Sequence, residues 1–121
     1  MNKIKYSVLI NVRNGEKYLL RAIDQINKQT IKPFKIIIFD NNSSDNTHNL
    51  IQQIIISNTD LYISKRSKTS LSLYKARNLA LQLSNSQYIC FLDVDDLWDI
   101  NKVEKQISLM KKNDSAIACI T

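Results

Sequence analysis

Glycine and proline are almost missing from this sequence, which holds one of each among 121 residues. Its tight turns must therefore be made largely by Asn, Asp and Ser, which tolerate turn geometry well. Long apolar runs are missing too, so no membrane-spanning helix is predicted. Arg13 cuts off the first apolar stretch, which is then too short for the core of a secretory signal peptide. We therefore predict a cytoplasmic protein whose membrane association is at most peripheral, on the inner face of the cell membrane.

Cysteine and histidine are scarce as well. Cys90 and Cys119 lie in apolar runs and have no CxxC or Cys/His spacing, so we predict buried free thiols in a reducing compartment. The single histidine, His48, has no partner at metal-ligand spacing and is predicted to be a surface residue. These residues are therefore not candidates for the functional site.

The overall composition is that of an ordinary globular protein, with 44% hydrophobic and 23% charged residues. At this length we expect a single domain over residues 1–121. The net charge of +6 permits an anionic partner such as a nucleotide, a nucleic acid or an acidic membrane surface. Because the basic residues are scattered, a generic basic surface is favoured over a dedicated polyanion patch, and no nucleic-acid partner is predicted.

Predicted strands alternate with predicted helices along the whole chain. The strands are expected at 6–12, 34–39, 60–64, 88–92 and 116–120, and the apolar spacing predicts helices over 16–29, after residue 46, around 73–83 and after Asp96 or Asp99. A basic loop is expected at 65–68. This alternation is typical of an α/β fold with a doubly wound, mostly parallel sheet and right-handed crossovers.

The strand at 88–92 is a run of apolar residues that ends in Asp93, Asp95 and Asp96. Such a run is typical of a central strand buried on both faces, and ligands of α/β sheets collect beyond the carboxyl ends of the strands. If the backbone stays extended through Val94, Asp93 and Asp95 point to one side. Two carboxylates suit Mg²⁺ or Mn²⁺, although a polar turn with a helix cap would use the same residues.

Two further polar clusters, at 11–14 and 40–42, follow predicted strands and should reach the same rim of the sheet. Arg77 lies near the start of the third helix, where a guanidinium can hold phosphate oxygens in bidentate fashion. The alternative is a solvated helix residue at 77 and helix capping by the residues after Asp40.

Six segments occur in one order and spacing: SVLI at 7–10, NGEKYL at 14–19, QT at 29–30, FDNNSSDNT at 39–47, ARN at 76–78 and FLDVDDLW at 91–98. Together they resemble glycosyltransferase family 2 across nearly the whole chain. The resemblance implies the nucleotide-sugar-binding half of a GT-A fold.

The resemblance also implies roles for particular residues. Asp40 and Asn41 would contact the base or ribose of the donor, and Arg77 would occupy the basic position of the Ala-Arg-Asn motif. Asp93 and Asp95 would form the DxD pair, with Asp95 the direct ligand of Mg²⁺ or Mn²⁺. The metal would hold the diphosphate and stabilise the charge on the departing nucleoside diphosphate.

The chain departs from the family pattern in three places. Asn11 and Arg13 stand where the family usually ends its first strand in Pro-x-Tyr or Pro-x-Phe. We include both among the donor-binding residues, and Arg13 either approaches a phosphate or faces solvent. Asn41 occupies a position that is often Asp, but its carbonyl can still accept a base N–H. Tyr74 replaces a small residue before the Ala-Arg-Asn motif.

The implied reaction is the transfer of a sugar from a nucleoside diphosphate sugar, with UDP as the expected nucleotide, in cell-envelope polysaccharide biosynthesis. The acceptor would be a hydroxyl on a glycan, a lipid carrier or a cell-surface polymer. We expect the general base to lie beyond Thr121, in an acceptor-binding half that these residues do not include. Two alternatives stay open: a catalytically silent nucleotide-binding or interaction module, and a receiver-like phosphoacceptor domain, which would need a lysine that 116–120 lacks.

Overall fold

The structure, a computed structural model, describes residues 4–116 and 118–119. Its elements are β1 (Tyr6–Val12), α1 (Leu19–Asn27), β2 (Lys35–Asp40), α2 (Thr47–Ser57), β3 (Tyr62–Arg66), α3 (Leu73–Leu81), β4 (Tyr88–Asp93) and α4 (Lys102–Lys112). All strand pairs are parallel, in the order β3-β2-β1-β4. The predicted α/β class with a parallel sheet flanked by helices is therefore confirmed.

The core has two parts, one on each side of the sheet. Alternate residues of β1, such as Val8 and Ile10, pack with the apolar faces of α1, α2 and α4. Leu9 points the other way and packs with Ala76 and Ala80 of α3. Alternate side chains of β1 and β2 point to opposite faces of the sheet, and both faces are covered by helices. This is why β1 and β2 are apolar at nearly every position. One face carries three helices and the other carries α3.

The carboxyl ends of the strands meet at one rim, as expected. Asn11 pairs in register with Asp93 on one side of β1, and Val12 pairs with Asp40 on the other. The polar clusters that follow β1, β2 and β4 are therefore neighbours in space.

The expectation that β4 is a central strand buried on both faces is wrong. Among the described strands, β4 lies at an edge of the sheet, and Phe91 is 47% exposed. An apolar run reports what a strand can bury, but it does not report the strand's place in the sheet order. The predicted fifth strand is not seen either: residues 116, 118 and 119 are not in a strand, and 117 and 120 lie outside the described residues.

Two predicted boundaries are also corrected. β3 continues through Lys65 and Arg66, which were expected in a loop, because both residues pair with the end of β2. α4 begins at Lys102, with Asn101 in the cap position and no side-chain cap bond, so neither Asp96 nor Asp99 caps it.

Among the residues described, no helix combines the length and apolarity needed to cross a membrane. Both cysteines are free and half-buried rather than fully buried. Burial raises the pKa of the Cys90 thiol to about 11, against a smaller opposing effect from the charge of Lys102. Cys90 is therefore protonated at neutral pH and a poor nucleophile.

Candidate functional site

Asp40 ends β2 and is buried, with 1% of its surface exposed. One carboxylate oxygen, Oδ1, accepts a hydrogen bond from the backbone N–H of Ser43 at 2.9 Å. The other, Oδ2, has no hydrogen-bond partner within the described residues, but His48 Nδ1 lies 3.6 Å away and Arg66 Nε 3.5 Å away. Asp40 therefore holds the turn after β2 through the N–H of Ser43, and its second oxygen lies between the side chains of His48 and Arg66.

His48 is thus not the isolated surface residue that the sequence predicts. Its side chain is half-exposed, but its ring faces the buried oxygen of Asp40. Arg66, which the sequence analysis left in a basic loop, also donates to the carbonyl of Ser43 at 2.8 Å. The eight-residue separation of Asp40 and His48 in the sequence gives no sign of this contact, because it depends on how α2 follows the turn.

The turns after β1 and β2 are joined through Asn14. Its backbone N–H donates to Ser43 Oγ at 2.9 Å, and its side-chain oxygen accepts from the backbone N–H groups of Ser44 at 2.7 Å and Asp45 at 3.3 Å. Asn14 has a φ of 50°, a left-handed conformation that Asn tolerates better than most residues. This set of contacts, which we call the Asn14 joint, makes one unit of the two turns.

Gly15 and Asp45 complete the joint. A Cβ at Gly15 would lie 2.5 Å from a methyl of the buried Val12, so the single glycine is needed for close packing. The pKa of Asp45 is lowered: desolvation acts against this, but hydrogen bonds from Thr47 and from the backbone of Glu16 outweigh it. The contribution of Asp45 to stability is therefore present at neutral pH and is lost as the pH falls through its folded-state pKa.

Asn41 follows β2 and is 9% exposed. Its side-chain Nδ2 donates to the carbonyl of Leu71 at 2.8 Å, and its Oδ1 accepts from the backbone N–H of Leu71 at 2.8 Å and from Ser67 Oγ at 3.3 Å. The amide expected to meet the donor base or ribose therefore also ties down the chain that enters α3.

Arg77 and Asp93 form an ion pair at the rim, with 3.1 Å between Arg77 Nη2 and Asp93 Oδ1. The Arg77 guanidinium also lies 5.6 Å from the centre of the Phe91 ring. Both side chains are partly exposed, so a ligand can reach either charge. The structure thus brings together two of the predicted donor-site residues.

Asn11 lies beside this pair, because it is the register partner of Asp93. Its side-chain oxygen is buried and has no hydrogen-bond partner in the described part of the chain. Arg13 is exposed beyond the end of β1. Asn11 therefore offers an unused acceptor next to the ion pair, and Arg13 offers a second cation on the same rim.

Asp95 does not follow the geometry assumed from the sequence. β4 ends at Asp93, and the backbone N–H of Asp96 donates to the carbonyl of Asp93 at 2.9 Å, which closes a turn. The extended path through Val94 is therefore wrong, and strand alternation does not place Asp95 beside Asp93. Both carboxylates belong to one exposed turn.

The backbone from Asp95 to Val103 is held by three polar side chains, two on α1 and one just beyond its end, which sequence reasoning missed. Arg21 donates to the carbonyl of Asp95 at 3.0 Å and Gln25 to that of Asp96 at 3.2 Å. Gln29 donates to the carbonyl of Asp99 at 2.8 Å and accepts from the backbone N–H of Val103 at 3.2 Å. The available signal was their i, i+4, i+8 spacing, which places them in one row along the helix.

The residues present are compatible with a divalent metal. No cluster of three or more His, Cys, Asp or Glu side chains suited to a metal exists in residues 4–116 and 118–119. Mg²⁺ and Mn²⁺ sites that include substrate phosphates need only one or two carboxylates. Asp93 and Asp95 would supply two hard oxygen ligands from one exposed turn, and Asn11 has a buried oxygen without a hydrogen-bond partner in the described residues, on the strand next to Asp93.

Comparison with solved structures identifies the class of fold. The chain superposes on the crystal structure of S. aureus TarS 1–349 in complex with UDP with a TM-score of 0.78 and 22% identity, covering 92% of this chain and 33% of that one. For the mannosyltransferase PcManGT from Pyrobaculum calidifontis in complex with GDP-Man and Mn²⁺, the TM-score is 0.81, the identity 17%, and the coverage 90% and 33%. The fold is that of the GT-A enzymes.

The sequence comparisons identify the family. Residues 7–121 match glycosyl transferase family 2, and the chain belongs to that family. It is 33% identical over 114 residues to the Escherichia coli UDP-Glc:alpha-D-GlcNAc-diphosphoundecaprenol beta-1,3-glucosyltransferase WfgD, covering 94% of this chain and 44% of WfgD. It is 32% identical over 115 residues to the amylovoran biosynthesis glycosyltransferase AmsB of Erwinia amylovora, covering 93% and 38%. The chain thus spans less than half the length of these relatives.

Proposed function

We propose that this chain is the donor-binding part of a glycosyltransferase that transfers a sugar from a nucleoside diphosphate sugar, with UDP as the nucleotide. The acceptor would be a hydroxyl on a lipid-linked or polysaccharide substrate of the cell envelope. Family membership supports the reaction class, and the relatives' names support the donor and acceptor classes. The observation that carries the proposal is the exposed Arg77–Asp93 pair beside Asn11 at the carboxyl rim of the sheet.

Each residue has a distinct part in this proposal. Arg77 holds the diphosphate by charge-assisted hydrogen bonds, with Arg13 as a second cation. Asp93 and Asp95 would hold Mg²⁺ or Mn²⁺, which when bound stabilises the negative charge on the departing nucleoside diphosphate. Asp40 and Asn41 form the wall at the base-and-ribose end. The rest of the acceptor site and the general base would come from the additional length that the relatives have.

We further propose that the protein works at the inner face of the cell membrane, held there peripherally. This location follows from the acceptor class, because a lipid carrier confines the acceptor sugar to the membrane surface. The net charge of +6 would favour an anionic surface without requiring a dedicated patch.

Calorimetric titration of the chain with UDP, with and without Mn²⁺, tests the donor site. We expect metal-dependent binding that Asp95→Ala weakens by about tenfold or more, since a lost bond to a charged group is worth roughly 1.5–3 kcal/mol. The matched control is Asp114→Ala, which removes an exposed carboxylate beyond α4 and should leave binding unchanged.

Two results would contradict the proposal. Equal losses in Asp95→Ala and Asp114→Ala would mean that net charge, and not a metal site, governs binding. If the wild-type chain binds none of UDP, GDP and dTDP, the donor site falls, and a catalytically silent interaction module becomes the better explanation.

A further inference from the structure

The amide of Asn41 is almost fully used by the protein itself. Its Nδ2 and Oδ1 both bond to the backbone of Leu71 at 2.8 Å, and Ser67 Oγ adds a third contact at 3.3 Å. An asparagine amide has two donor hydrogens and an oxygen with two lone pairs, so one donor hydrogen remains. This pattern is that of a residue binding a strip of backbone, with little capacity left for a ligand.

The backbone that Asn41 binds lies in the 67–72 segment, which joins β3 to α3 and has no regular secondary structure. A second backbone anchor is also at the end of β2, where the N–H of Ser67 donates to the carbonyl of Asp40 at 3.0 Å. Side chains at 68, 69, 70 and 72 are exposed and hold it no further by burial. The side chain of Leu71 packs partly against the core under α3, but the backbone of the segment is held by hydrogen bonds to residues 40 and 41.

The same segment sets the start of α3. The carbonyl of Ser72 accepts from the N–H of Ala76 at 3.0 Å, which closes the first turn of the helix directly after Leu71. Arg77 follows Ala76 and forms the ion pair with Asp93. A chain of contacts thus runs from Asn41 through Leu71 to the guanidinium at the rim.

We propose that Asn41 is a positioning residue, which fixes the 67–72 segment and thereby places Arg77 for the donor diphosphate. The effect on nucleotide binding rests on the proposed function, whereas the contact between Asn41 and Leu71 does not. It gives the amide at this position a task that a carboxylate cannot perform. An aspartate has no N–H for the carbonyl of Leu71, and its second oxygen would face that carbonyl at 2.8 Å.

The test compares Asn41→Asp and Asn41→Ala with wild type in the full 121-residue chain. Hydrogen exchange of the Leu71 amide, followed by NMR, measures the contact directly. UDP titration in the presence of Mn²⁺ measures its consequence. At pH 7.5 we expect both variants to lose protection at Leu71 and to bind UDP about tenfold more weakly, since a buried group left unpaired is costly. The charge-matched control is Asn85→Asp, an exposed residue before β4, which should change neither value.

The pH dependence separates positioning from general damage. A protonated aspartate at 41 can donate its O–H to the carbonyl of Leu71, and burial beside that carbonyl favours the protonated form. Lowering the pH from 8 to 5 should therefore restore Leu71 protection and UDP affinity in Asn41→Asp, but not in Asn41→Ala. The charged groups near this position are Asp40 on β2, His48 on α2, Arg66 on β3 and Lys68 in the segment. They are common to both variants, so their own titration cancels.

The outcomes are distinct. Restored protection and affinity at low pH in Asn41→Asp alone would support the inference. Unchanged Leu71 protection in Asn41→Asp, with UDP affinity reduced at every pH, would overturn it and make Asn41 a direct nucleotide contact. If wild type binds no nucleoside diphosphate, the proposed function fails, and Leu71 protection alone decides whether Asn41 holds the segment.

Discussion

Asparagine takes over the conformational task that glycine performs in most chains. Within the described residues, the positive φ values belong to Asn14 at 50° and Asn42 at 56°, while the single glycine is not among them. At residue 14 the side chain also makes the hydrogen bonds of the Asn14 joint. A glycine there would accept the backbone conformation and keep the backbone bond to Ser43 Oγ, but it would lose the side-chain bonds to Ser44 and Asp45.

Substitutions at Asn14 should separate these two effects. Asn14→Gly keeps the left-handed conformation and loses the side-chain bonds, so we expect a loss of about 1–2 kcal/mol in the free energy of unfolding. Asn14→Ala should lose roughly 1 kcal/mol more, because a Cβ is unfavourable at this φ. Urea denaturation measures both, and equal stabilities for the two variants would show that the backbone conformation costs nothing here.

At the scale of elements, α1 does more than cover the sheet. Its apolar face, with Leu19, Ala22, Ile23 and Ile26, is buried as the helical periodicity predicts. Arg21 and Gln25 on its polar face, together with Gln29 just beyond its end, hold the backbone that runs from the acidic turn to α4. Periodicity identifies the face that packs on the core, but it does not reveal which backbone groups a polar face will meet.

Gln29 also explains why α4 starts later than predicted. Its side-chain oxygen accepts from the N–H of Val103 in the first turn of α4. The residue in the cap position, Asn101, makes no side-chain bond to this turn. The same amide donates to the carbonyl of Asp99, which also accepts from the N–H of Lys102 at 3.1 Å. The sequence predicts an acidic cap for α4, whereas the acceptor for the Val103 N–H comes from Gln29, just after α1.

Replacing Gln29 should destabilise the acidic turn and α4 together. Gln29→Leu removes the acceptor of the Val103 N–H and one of two donors to the carbonyl of Asp99, which keeps the N–H of Lys102 at 3.1 Å. Since Gln29 is 1% exposed, we expect a loss of roughly 1–3 kcal/mol in the free energy of unfolding. Gln52→Leu, on the exposed side of α2, is the matched control and should change stability little. Thermal or urea unfolding decides the matter, and similar values for both variants would show that the two bonds contribute nothing.

At the scale of the whole molecule, the sheet is covered unequally. Three helices pack on one face, and α3 alone covers the other, which leaves Phe91 partly exposed beside the ion pair at the rim. Asn11 and Asp93 lie on this less covered face, because they alternate in step with Leu9 and Phe91. The candidate donor site therefore opens on the side where the chain buries least.

Much of this arrangement could be predicted from the sequence. The apolar runs predict β1, β2 and β4 closely, and the rule for parallel sheets brings their polar ends to one rim. Strand order, the turn at Asp93 and the pairing of Asp40 with His48 and Arg66 could not be predicted. Each depends on contacts between residues far apart in the chain, for which local periodicity carries no information.

The apolar surface exposed near β4 should make the chain associate with itself. No described strand pairs with the outer side of β4, although Cys119 lies near it, and Phe91 and Leu97 expose apolar surface there. Sedimentation velocity should show concentration-dependent association, and Phe91→Thr should reduce it while preserving strand propensity. Ile56→Thr, which removes an exposed apolar residue from α2, is the control. Identical behaviour of the two variants would exclude the β4 edge as the contact.

Asn14 and Gly15 also form the dipeptide most prone to spontaneous deamidation. In a flexible chain the glycine nitrogen attacks the asparagine side-chain carbonyl, closes a succinimide ring and releases ammonia. Here that N–H is donated to Thr47 Oγ1 at 3.0 Å, and the carbonyl oxygen is bound by the N–H of Ser44. In the folded chain both reacting groups are held in other hydrogen bonds, which hinders closure of the ring. The rate of deamidation at this position would therefore depend on how much of the time the chain is unfolded, and each event would place a negative charge beside Asp45 or, as isoaspartate, reroute the backbone of the joint.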